Sequence, residues 1–258
     1  MVFEDADLAN PKGRHFLRKP WVTVAQLRMR VRVGGNRKRD LLLYCQFNDP
    51  IAWVEFAHRL APSSGGKFDC EISRANKIER FIDDGSDFRA INPLGLVPTL
   101  RTDEGLVLTE NAAILQYVAD RFPQAGISAV SGIERSRLHQ WLCFIGTELH
   151  KGLFVPVLDR KAPPEVKTYV LGKGLSRLDY LENYLNGREF LLDHFSVADA
   201  YLVTVINWTM ATPPIELAKW PTVKTYYERL RARPSIARAV AEEFKLYQAE
   251  LARHKAAA

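Results

Sequence analysis

The segment Thr109-Glu110-Asn111 has the composition of a helix start that can bind an anion. It precedes a stretch with apolar residues at helical spacing, so a helix is predicted to begin there. The first N–H groups of a helix have no partner within it, and the helix dipole adds to their attraction for negative charge. An anionic ligand group is therefore expected at this end of the helix. The alternative for Glu110 is an ordinary first-turn acid that only stabilises its own helix.

Three cysteines, and one histidine on a predicted helix, are further candidates for reactive side chains. Cys45, Cys70 and Cys143 are widely spaced and odd in number. This spacing argues against a disulfide framework or a zinc ribbon, and no metal is expected. Cys143, Thr147 and His150 lie on adjoining parts of one helix, because residues three and four positions apart are neighbours. A lone histidine on a helix is often structural, so both roles stay open for His150.

The composition of the whole chain is that of an ordinary globular protein. Its 258 residues are 47% hydrophobic and 26% charged, which excludes a disordered or fibrous chain. The mass of 29.3 kDa allows one large domain or two smaller ones. No run of 18 apolar residues is present, so no membrane span is expected. The first thirty residues lack the apolar centre of a signal peptide, and a cytoplasmic protein is expected.

The net charge of +6 is concentrated in residues 1–39. Ten of the 36 Lys and Arg residues and three of the 30 acids lie there, so this basic arm carries +7 and the remainder −1. The body therefore has no basic excess for nucleic acid. In the arm, apolar residues alternate with Arg28, Arg30 and Arg32, a strand pattern that ends at Gly34-Gly35-Asn36. We expect the arm to lie outside the sheet, as a disordered tail, as upstream sequence included by a wrong start, or as an arm that binds an anionic partner.

From residue 40 onward the pattern predicts two domains. In residues 40–123 short apolar runs and helical stretches follow the order strand, helix, strand, helix, strand, strand, helix. This order predicts an α/β domain with a four-stranded mixed sheet. Residues 124–132 are expected to form a linker, and residues 133–258 carry helical spacing almost throughout. A ligand site is expected in the cleft between the α/β domain and this all-helical domain.

Three segments, in order along the chain, carry a resemblance to a known family. They are residues 91–117, 141–152 and 193–202, which read INPLGLVPTLRTDEGLVLTENAAILQY, WLCFIGTELHKG and DHFSVADAYL. With them the chain resembles the soluble (cytosolic) glutathione S-transferases over roughly residues 41–245, and it is most similar to bacterial beta-class members. The resemblance implies a thioredoxin-like N-terminal domain, a helical-bundle C-terminal domain and a symmetric homodimer.

The resemblance also implies where glutathione would bind. The backbone of Val97, before a cis Pro98, would pair with the cysteine of glutathione as an added strand. Glu110 would pair with the ammonium of the γ-glutamyl end. Asn111, in place of a common Ser or Gly, would hold the α-carboxylate through its N–H and its amide. His150 matches a histidine that faces the same site.

A second-substrate pocket is implied at Cys143, Thr147 and Trp208, with Cys143 in place of a more usual Asn. A buried core tryptophan is the alternative for Trp208. Ser196 and Asp199 have the spacing of a variant capping box, which is expected to begin a helix of the second domain and to have no catalytic role.

The chemistry of the family is activation of the glutathione thiol, because the thiolate is the nucleophile. The family uses a Ser, Tyr or Cys near the first strand–helix turn. Here Pro50 and Ile51 take the beta-class positions and can donate no side-chain hydrogen bond. Asn48 is the candidate donor to the thiolate, whereas a carboxylate at Asp49 would raise the thiol pKa. Cys45, at the end of the strand, is either a thiol that forms a mixed disulfide or an inert buried one.

These features together predict a glutathione S-transferase that binds glutathione as co-substrate and conjugates its thiolate to a small hydrophobic electrophile, as in detoxification. One alternative is a non-catalytic glutathione-binding or scaffold protein with the same fold. Another is a thiol-dependent glutathione oxidoreductase that uses Cys45. The expected partners are glutathione, the electrophile and a second copy of the chain.

Overall fold

The computed structural model describes the backbone of three N-terminal strands and most of the chain from residue 87 onward. The described residues are 24–33, 37–46, 69–74, 87–102, 104–129, 132–241, 244 and 248. The predicted first strand–helix turn, with Asn48, Pro50 and Ile51, lies outside these residues.

Five described strands form one sheet. They are β1 (Val24–Val33), β2 (Arg37–Gln46), β3 (Asp69–Arg74), β4 (Thr99–Thr102) and β5 (Val107–Thr109). Their order across the sheet is β3-β1-β2-β4-β5, and each neighbouring pair is antiparallel. The described sheet thus differs from the predicted four-stranded mixed sheet, because the basic arm adds a strand that pairs antiparallel on both sides.

The prediction that the basic arm lies outside the sheet is wrong. β1 lies between β3 and β2, and its Leu27 is opposite Leu43 of β2 and Ile72 of β3. An alternation of apolar residues with period two is the sequence pattern that specifies strand register. Residues 34–36 separate Val33 from its partner Arg37, a length typical of a hairpin connection. β3 pairs with β1 and not with β2. β1 and β3 therefore do not compete for the same edge of β2.

Helices make up most of the rest of the described chain. They are α1 (Asn111–Arg121), α2 (Gly132–Leu158), α3 (Pro164–Gly174), α4 (Ser176–Leu185), α5 (Val197–Asn207) and α6 (Pro221–Arg231). Short 3-10 turns lie at Phe88–Ala90, Pro123–Ala125, Trp208–Ala211 and Leu217–Lys219. Residues 133–258, which carry helical spacing almost throughout, are thus divided among separate helices, and a further helix is described at residues 234–241.

The 27-residue helix α2 carries much of the core. Its apolar residues Leu138, Trp141, Leu142, Ile145, Leu149 and Leu153 are buried in one cluster with residues of α1, α4, α5 and α6. Among the described helices only α2 is long and apolar enough to cross a membrane, since an 18-residue window of it has a mean hydropathy of 1.2, and the core helix of a globular protein has the same features. Its middle, Ile145–Phe154, is π-helical, a departure that is frequent at functional sites.

An arginine fixes the start of α2 to the end of α1. Arg135 donates hydrogen bonds to both carboxylate oxygens of Asp120 and, at 3.0 Å, to the carbonyl of Ala129. These hydrogen bonds lower the pKa of Asp120. The N–H of Val197, the first residue of α5, donates to the carbonyl of Ile127 at 3.0 Å. The linker therefore holds α1, α2 and α5 in a defined arrangement.

Two glycines of α3 give a matched test of helix packing. A Cβ on Gly174 would lie 2.6 Å from Cδ1 of Leu153, whereas a Cβ on Gly172 would have nothing within 4 Å. We expect Gly174→Ala to lower the free energy of unfolding by about 1–3 kcal/mol through overpacking. Gly172→Ala, the control, should raise it by roughly 0.5–1 kcal/mol, because alanine loses less backbone entropy. Urea denaturation of both variants checks this, and equal effects would contradict the packing of α3 on α2.

Candidate functional site

The ends of three strands meet at one edge of the sheet. Thr99 of β4 is opposite Tyr44 of β2 and Thr109 of β5. Because both pairings are antiparallel, the residues that precede Thr99 lie beside those that follow Tyr44 and Thr109. This sheet edge therefore brings together three predicted site elements that are far apart in sequence: Cys45, the Val97-Pro98 peptide and the start of α1.

The loop that enters β4 is organised by one buried asparagine. The side-chain Nδ2 of Asn92 donates to the carbonyl of Leu96 at 2.6 Å and to Oγ1 of Thr99 at 3.1 Å. Its Oδ1 accepts the N–H of Leu94 at 3.2 Å. Only 3% of Asn92 is exposed. No role was predicted for Asn92, although an Asn-Pro dipeptide at the start of a loop is a turn signal that could have indicated one.

The Val97-Pro98 peptide bond at the end of this loop is cis. Pro98 is buried and Val97 is half-buried. Within the described part of the chain neither the N–H nor the C=O of Val97 forms a hydrogen bond. Both backbone groups are thus available for an extended ligand at the sheet edge.

Glu110 has an unusual backbone conformation. Its φ of 68° and ψ of 124° make it the one non-glycine residue with positive φ in the described ranges. Such a conformation costs on the order of 1–3 kcal/mol and tends to occur at ligand sites. The carbonyl of Glu110 accepts the N–H of Ile114 at 3.0 Å, which begins α1. Its side chain forms no capping bond and is exposed, so the carboxylate can meet a ligand.

Two buried side-chain atoms have no hydrogen-bond partner in the described part of the chain. They are Oδ1 of Asn111, the first residue of α1, and Nε1 of Trp208. Asn111 is 8% exposed and Trp208 is 7% exposed. Because buried polar atoms are nearly always paired, each of these two atoms needs a partner that a ligand or a water can supply.

His150 lies in the π-helical part of α2 and faces α5. Its Nδ1 is 2.7 Å from the hydroxyl of Tyr201, and its ring meets the ring of Trp208 edge-on at a centroid distance of 4.7 Å. Burial first, and the positive charge of Lys151 second, lower the pKa of His150 to about 4. The imidazole is therefore neutral at pH 7, with Tyr201 occupying one ring nitrogen. Tyr201 was missed by the sequence analysis because it is 51 positions away.

The other predicted pocket residues are less buried. Cys143 and Thr147 are exposed on α2, and the hydroxyl of Thr147 donates to the carbonyl of Cys143 at 2.9 Å. Cys45 is the residue before the last of β2. Asn48 lies outside the described residues, so its position relative to the sheet edge stays a prediction.

The predicted capping box at the start of α5 is confirmed. Ser196 is the N-cap of α5, and the carboxylate of Asp199 accepts the reciprocal hydrogen bond from the N–H of Ser196 at 2.8 Å. Asp199 is fully buried and also accepts from the N–H of Leu191 and the hydroxyl of Tyr226. Burial raises the pKa of Asp199 and these donated hydrogen bonds oppose that rise. The network is structural, since every bond links parts of the helical domain.

The low pKa of His150 predicts a pH-dependent stability. In the unfolded chain His150 binds a proton below about pH 6.5, whereas in the folded chain it does so only below about pH 4. The folded state therefore loses stability as the pH falls through this window. We expect the free energy of unfolding to fall by about 2 kcal/mol more between pH 7 and pH 5 in the wild type than in His150→Gln. Urea denaturation at the two pH values measures this. The exposed His139→Gln is the control and should fall as the wild type does; a parallel fall in His150→Gln would contradict the burial of His150.

The fold and the sheet edge together define a class: an α/β domain with a cis-proline loop and a strained helix start, followed by an all-helical domain. Two family models match this division. The model described as glutathione S-transferase, N-terminal domain, matches residues 69–121, and the model described as glutathione S-transferase, C-terminal domain, matches residues 144–234.

Individual relatives agree with these matches. The chain is 34% identical to glutathione S-transferase GstA of Escherichia coli O157:H7 over 199 residues, which is 76% of this chain and 97% of that protein. A glutathione transferase structure from Methylococcus capsulatus str. Bath is 40% identical, with a TM-score of 0.66 over 76% of this chain and 93% of the other. A sphingomonad glutathione S-transferase complexed with glutathione is 33% identical, with a TM-score of 0.66 and the same coverage.

The chain belongs to the glutathione S-transferase family. This membership confirms the expected fold class, a thioredoxin-like N-terminal domain followed by a helical C-terminal domain, and the similarity to bacterial beta-class members. It also confirms the expected function as a glutathione transferase.

Proposed function

We propose that this chain binds glutathione at the sheet edge and conjugates its thiolate to a small hydrophobic electrophile. The observation that carries the proposal is the register of β2, β4 and β5, which aligns Thr99 with Tyr44 and Thr109. A tripeptide extended along this edge would contact the backbone of Val97, then the carboxylate of Glu110 and then the start of α1. Its thiol would lie toward the end of β2, where the strand–helix turn begins.

The cysteine and the γ-glutamyl end of glutathione each have a matching group. The N–H and C=O of Val97, before the cis Pro98, bind the backbone of the cysteine. The carboxylate of Glu110 binds the γ-glutamyl end together with Asn111 and the free N–H groups at the start of α1. His150 contributes from α2 as a neutral hydrogen-bonding group, because its pKa is about 4. The positive φ of Glu110 supports this role, since strain is retained where a ligand needs it.

The glutathione thiol is activated by residues that follow β2. Asn48 is the candidate donor of a hydrogen bond to the thiolate, and such a bond favours ionisation because it stabilises the charged form. The matching positions Pro50 and Ile51 offer no side-chain donor, so activation relies on Asn48 and on main-chain N–H groups.

The second substrate would lie against α2 and the turn after α5. Cys143, Thr147 and Trp208 are the candidate lining residues. The unpartnered Nε1–H of Trp208, beside the neutral ring of His150, supports a pocket for an electrophile that carries a hydrogen-bond acceptor. The exposed thiol of Cys143 gives a position for chemical labelling.

The remaining assignments follow the family. We assign residues 40–123 to the glutathione-binding domain, together with β1 and the first residues of β2 from the basic extension 1–39, and we assign 124–132 to the linker and 133–258 to the helical domain. A cytoplasmic homodimer active in detoxification is the expected form of the protein. The positive charge of the extension suits an anionic partner.

Steady-state conjugation of glutathione to 1-chloro-2,4-dinitrobenzene tests the proposal. We expect saturable turnover whose kcat/KM falls by about tenfold or more in Asn48→Ala, because a donor to the thiolate is lost. Asn183→Ala removes an exposed asparagine of α4 and is the matched control. Absence of turnover in the folded wild type would contradict conjugation and leave a binding protein.

A second candidate function rests on the position of Cys45 beside Pro98, which the register of β2 and β4 supports. There the thiolate of Cys45 would attack a glutathione mixed disulfide, displacing the other thiol, and free glutathione would then release the thiol of Cys45 and form oxidised glutathione. Reduction of 2-hydroxyethyl disulfide that is lost in Cys45→Ser supports this function. Absence of disulfide reduction by a wild type that conjugates glutathione, or reduction that survives in Cys45→Ser, rejects it.

A further inference from the structure

We propose that Gly152 is a positioning residue for His150: a glycine at this position permits the π-helical turn of α2 that directs the imidazole toward α5. The inference rests on the proposed function for the step in which His150 meets glutathione. Gly152 is exposed and has no side chain, so it would act through the direction of His150 and not on a ligand.

The hydrogen bonds of α2 change register around His150. Residues Ile145–Phe154 are π-helical, and the N–H of Val155 donates to the carbonyl of His150, five positions earlier instead of the four of an α-helix. A π-helical turn is wider than an α-helical turn, so the side chains within it leave the helix in different directions. The direction of His150 therefore depends on this register.

A proline gives a reason for the change of register. Pro156 has no N–H to donate to the carbonyl of Gly152, four positions earlier, and in a regular α-helix its ring would clash with that carbonyl. Even so, α2 continues past the proline to Leu158. Proline and π-helical turns are both recognised causes of local departures from straight α-helical geometry, and here the two adjoin. The wider turn accommodates the proline without ending the helix.

The wider turn requires a glycine at position 152. A Cβ on Gly152 would lie 2.7 Å from the carbonyl oxygen of Thr147, five positions earlier, and 3.7 Å from its carbonyl carbon. The carbonyl belongs to the backbone of the same turn, so it cannot move away unless the register changes. Apart from the adjoining residues of the helix, Thr147 is the only described residue within 4 Å of that Cβ. The requirement therefore comes from the turn itself and not from a neighbouring element.

The contacts of His150 depend on the same turn. Its Nδ1 is 2.7 Å from the hydroxyl of Tyr201, and its ring centroid is 4.7 Å from that of Trp208. Both partners are buried in the core, Tyr201 on α5 and Trp208 in the turn that follows it. Because a close-packed core does not follow a rotated side chain, a return of α2 to the α-helical register would separate the imidazole from both partners.

A double-mutant cycle on the full chain tests whether Gly152 acts through His150. We expect Gly152→Ala to lower kcat/KM for conjugation of 1-chloro-2,4-dinitrobenzene by about tenfold, because the imidazole is misplaced. In a His150→Ala background the same change should alter kcat/KM by less than about twofold, since no imidazole is left to direct. A fall of equal size in both backgrounds would overturn the inference, because Gly152 would then act independently of His150.

Gly146→Ala is the matched control for this cycle. Gly146 lies in the same π-helical stretch, and a Cβ there would be 3.7 Å from the hydroxyl oxygen of Tyr201, which is an ordinary contact. It should change kcat/KM by less than about twofold in either background. A loss in Gly146→Ala as large as that in Gly152→Ala would overturn the inference, because any alanine in the stretch would then suffice.

The titration of His150 by NMR gives a readout that needs no turnover. We expect its pKa to stay at about 4 in the wild type and in Gly146→Ala, and to rise toward 6.5 in Gly152→Ala, because the ring loses its buried position. A folded Gly152→Ala protein in which the pKa stays at about 4 would overturn the inference. Absence of turnover in the wild type would reject the proposed function instead, and the titration would then decide the inference.

The wild type provides the test if Gly152→Ala does not fold. A scalar coupling across the hydrogen bond from the N–H of Val155 identifies its acceptor. Coupling to the carbonyl of His150 supports the π-helical register on which the inference depends. Coupling to the carbonyl of Lys151, which is the α-helical acceptor, would overturn it.

Discussion

Asp199→Ala is expected to lower the free energy of unfolding by about 3–5 kcal/mol, which is enough to prevent folding of many domains of this size. The carboxylate accepts four hydrogen bonds inside the helical domain, from the N–H of Leu191, from the N–H and hydroxyl of Ser196, and from the hydroxyl of Tyr226, at 2.7–2.9 Å. Alanine would leave all these buried donors without an acceptor. The loss reflects their desolvation more than the energy of any one bond.

Urea denaturation followed by circular dichroism measures this loss. Asp193→Ala, at an exposed position six residues earlier, is the control and should change stability by less than about 0.5 kcal/mol. Tyr226→Phe removes one of the four bonds and should cost about 1–2 kcal/mol. An Asp199→Ala protein as stable as Asp193→Ala would show that the network does not hold α5 and α6 together.

Glu110→Ala is expected to weaken glutathione binding by about 10- to 100-fold, because a charged hydrogen bond to the ammonium is lost. Glu110→Gly should weaken it equally, since both variants lack the carboxylate. The two variants differ in backbone strain. Glycine adopts a φ of 68° without the steric cost that alanine retains, so Glu110→Gly should be more stable than Glu110→Ala by about 1 kcal/mol.

The comparison of these two variants separates the binding role of Glu110 from its conformation. Affinity is measured by calorimetry, and stability by urea denaturation without ligand. Gly105→Ala is the control, since Gly105 also has a positive φ, of 87°, but lies in the turn before β5 and outside the proposed ligand site. It should lower stability through backbone strain and leave the affinity for glutathione unchanged. Unchanged affinity in Glu110→Ala would contradict the assignment of the carboxylate, and a less stable Glu110→Gly would contradict the strain at this position.

Local features of the fold could be predicted from the sequence because they depend on residues close in the chain. The capping box needs only Ser196 and Asp199, three positions apart, and the helix start at Glu110 needs only its neighbours. The place of the basic arm could not be predicted. Strand alternation identified β1 correctly, but the choice of partner depends on non-local pairing with β2 and β3, which the alternation pattern does not determine.

The site was predicted in part for the same reason. Val97, Glu110 and Asn111 belong to one continuous segment of the family resemblance, so the resemblance selects them as candidates without knowledge of the fold. Tyr201 contacts His150 across 51 positions, and nothing near either residue indicates the contact. The unpartnered Oδ1 of Asn111 depends on which donors fail to reach it, which only the packed structure defines. The Asn-Pro dipeptide at Asn92 indicates a turn. The hydrogen bonds of its side chain to Leu94, Leu96 and Thr99 are defined only by the folded loop.

Calorimetric titration of glutathione into the full-length chain, repeated with Glu110→Ala, is the decisive measurement for glutathione binding at the start of α1. We expect saturable binding in the micromolar to low millimolar range for the wild type and clear weakening in the variant, with both proteins folded by circular dichroism. A folded wild type that gives no binding heat and no stabilisation by glutathione would contradict it. Equal binding by both proteins would show that the ligand does not reach the start of α1.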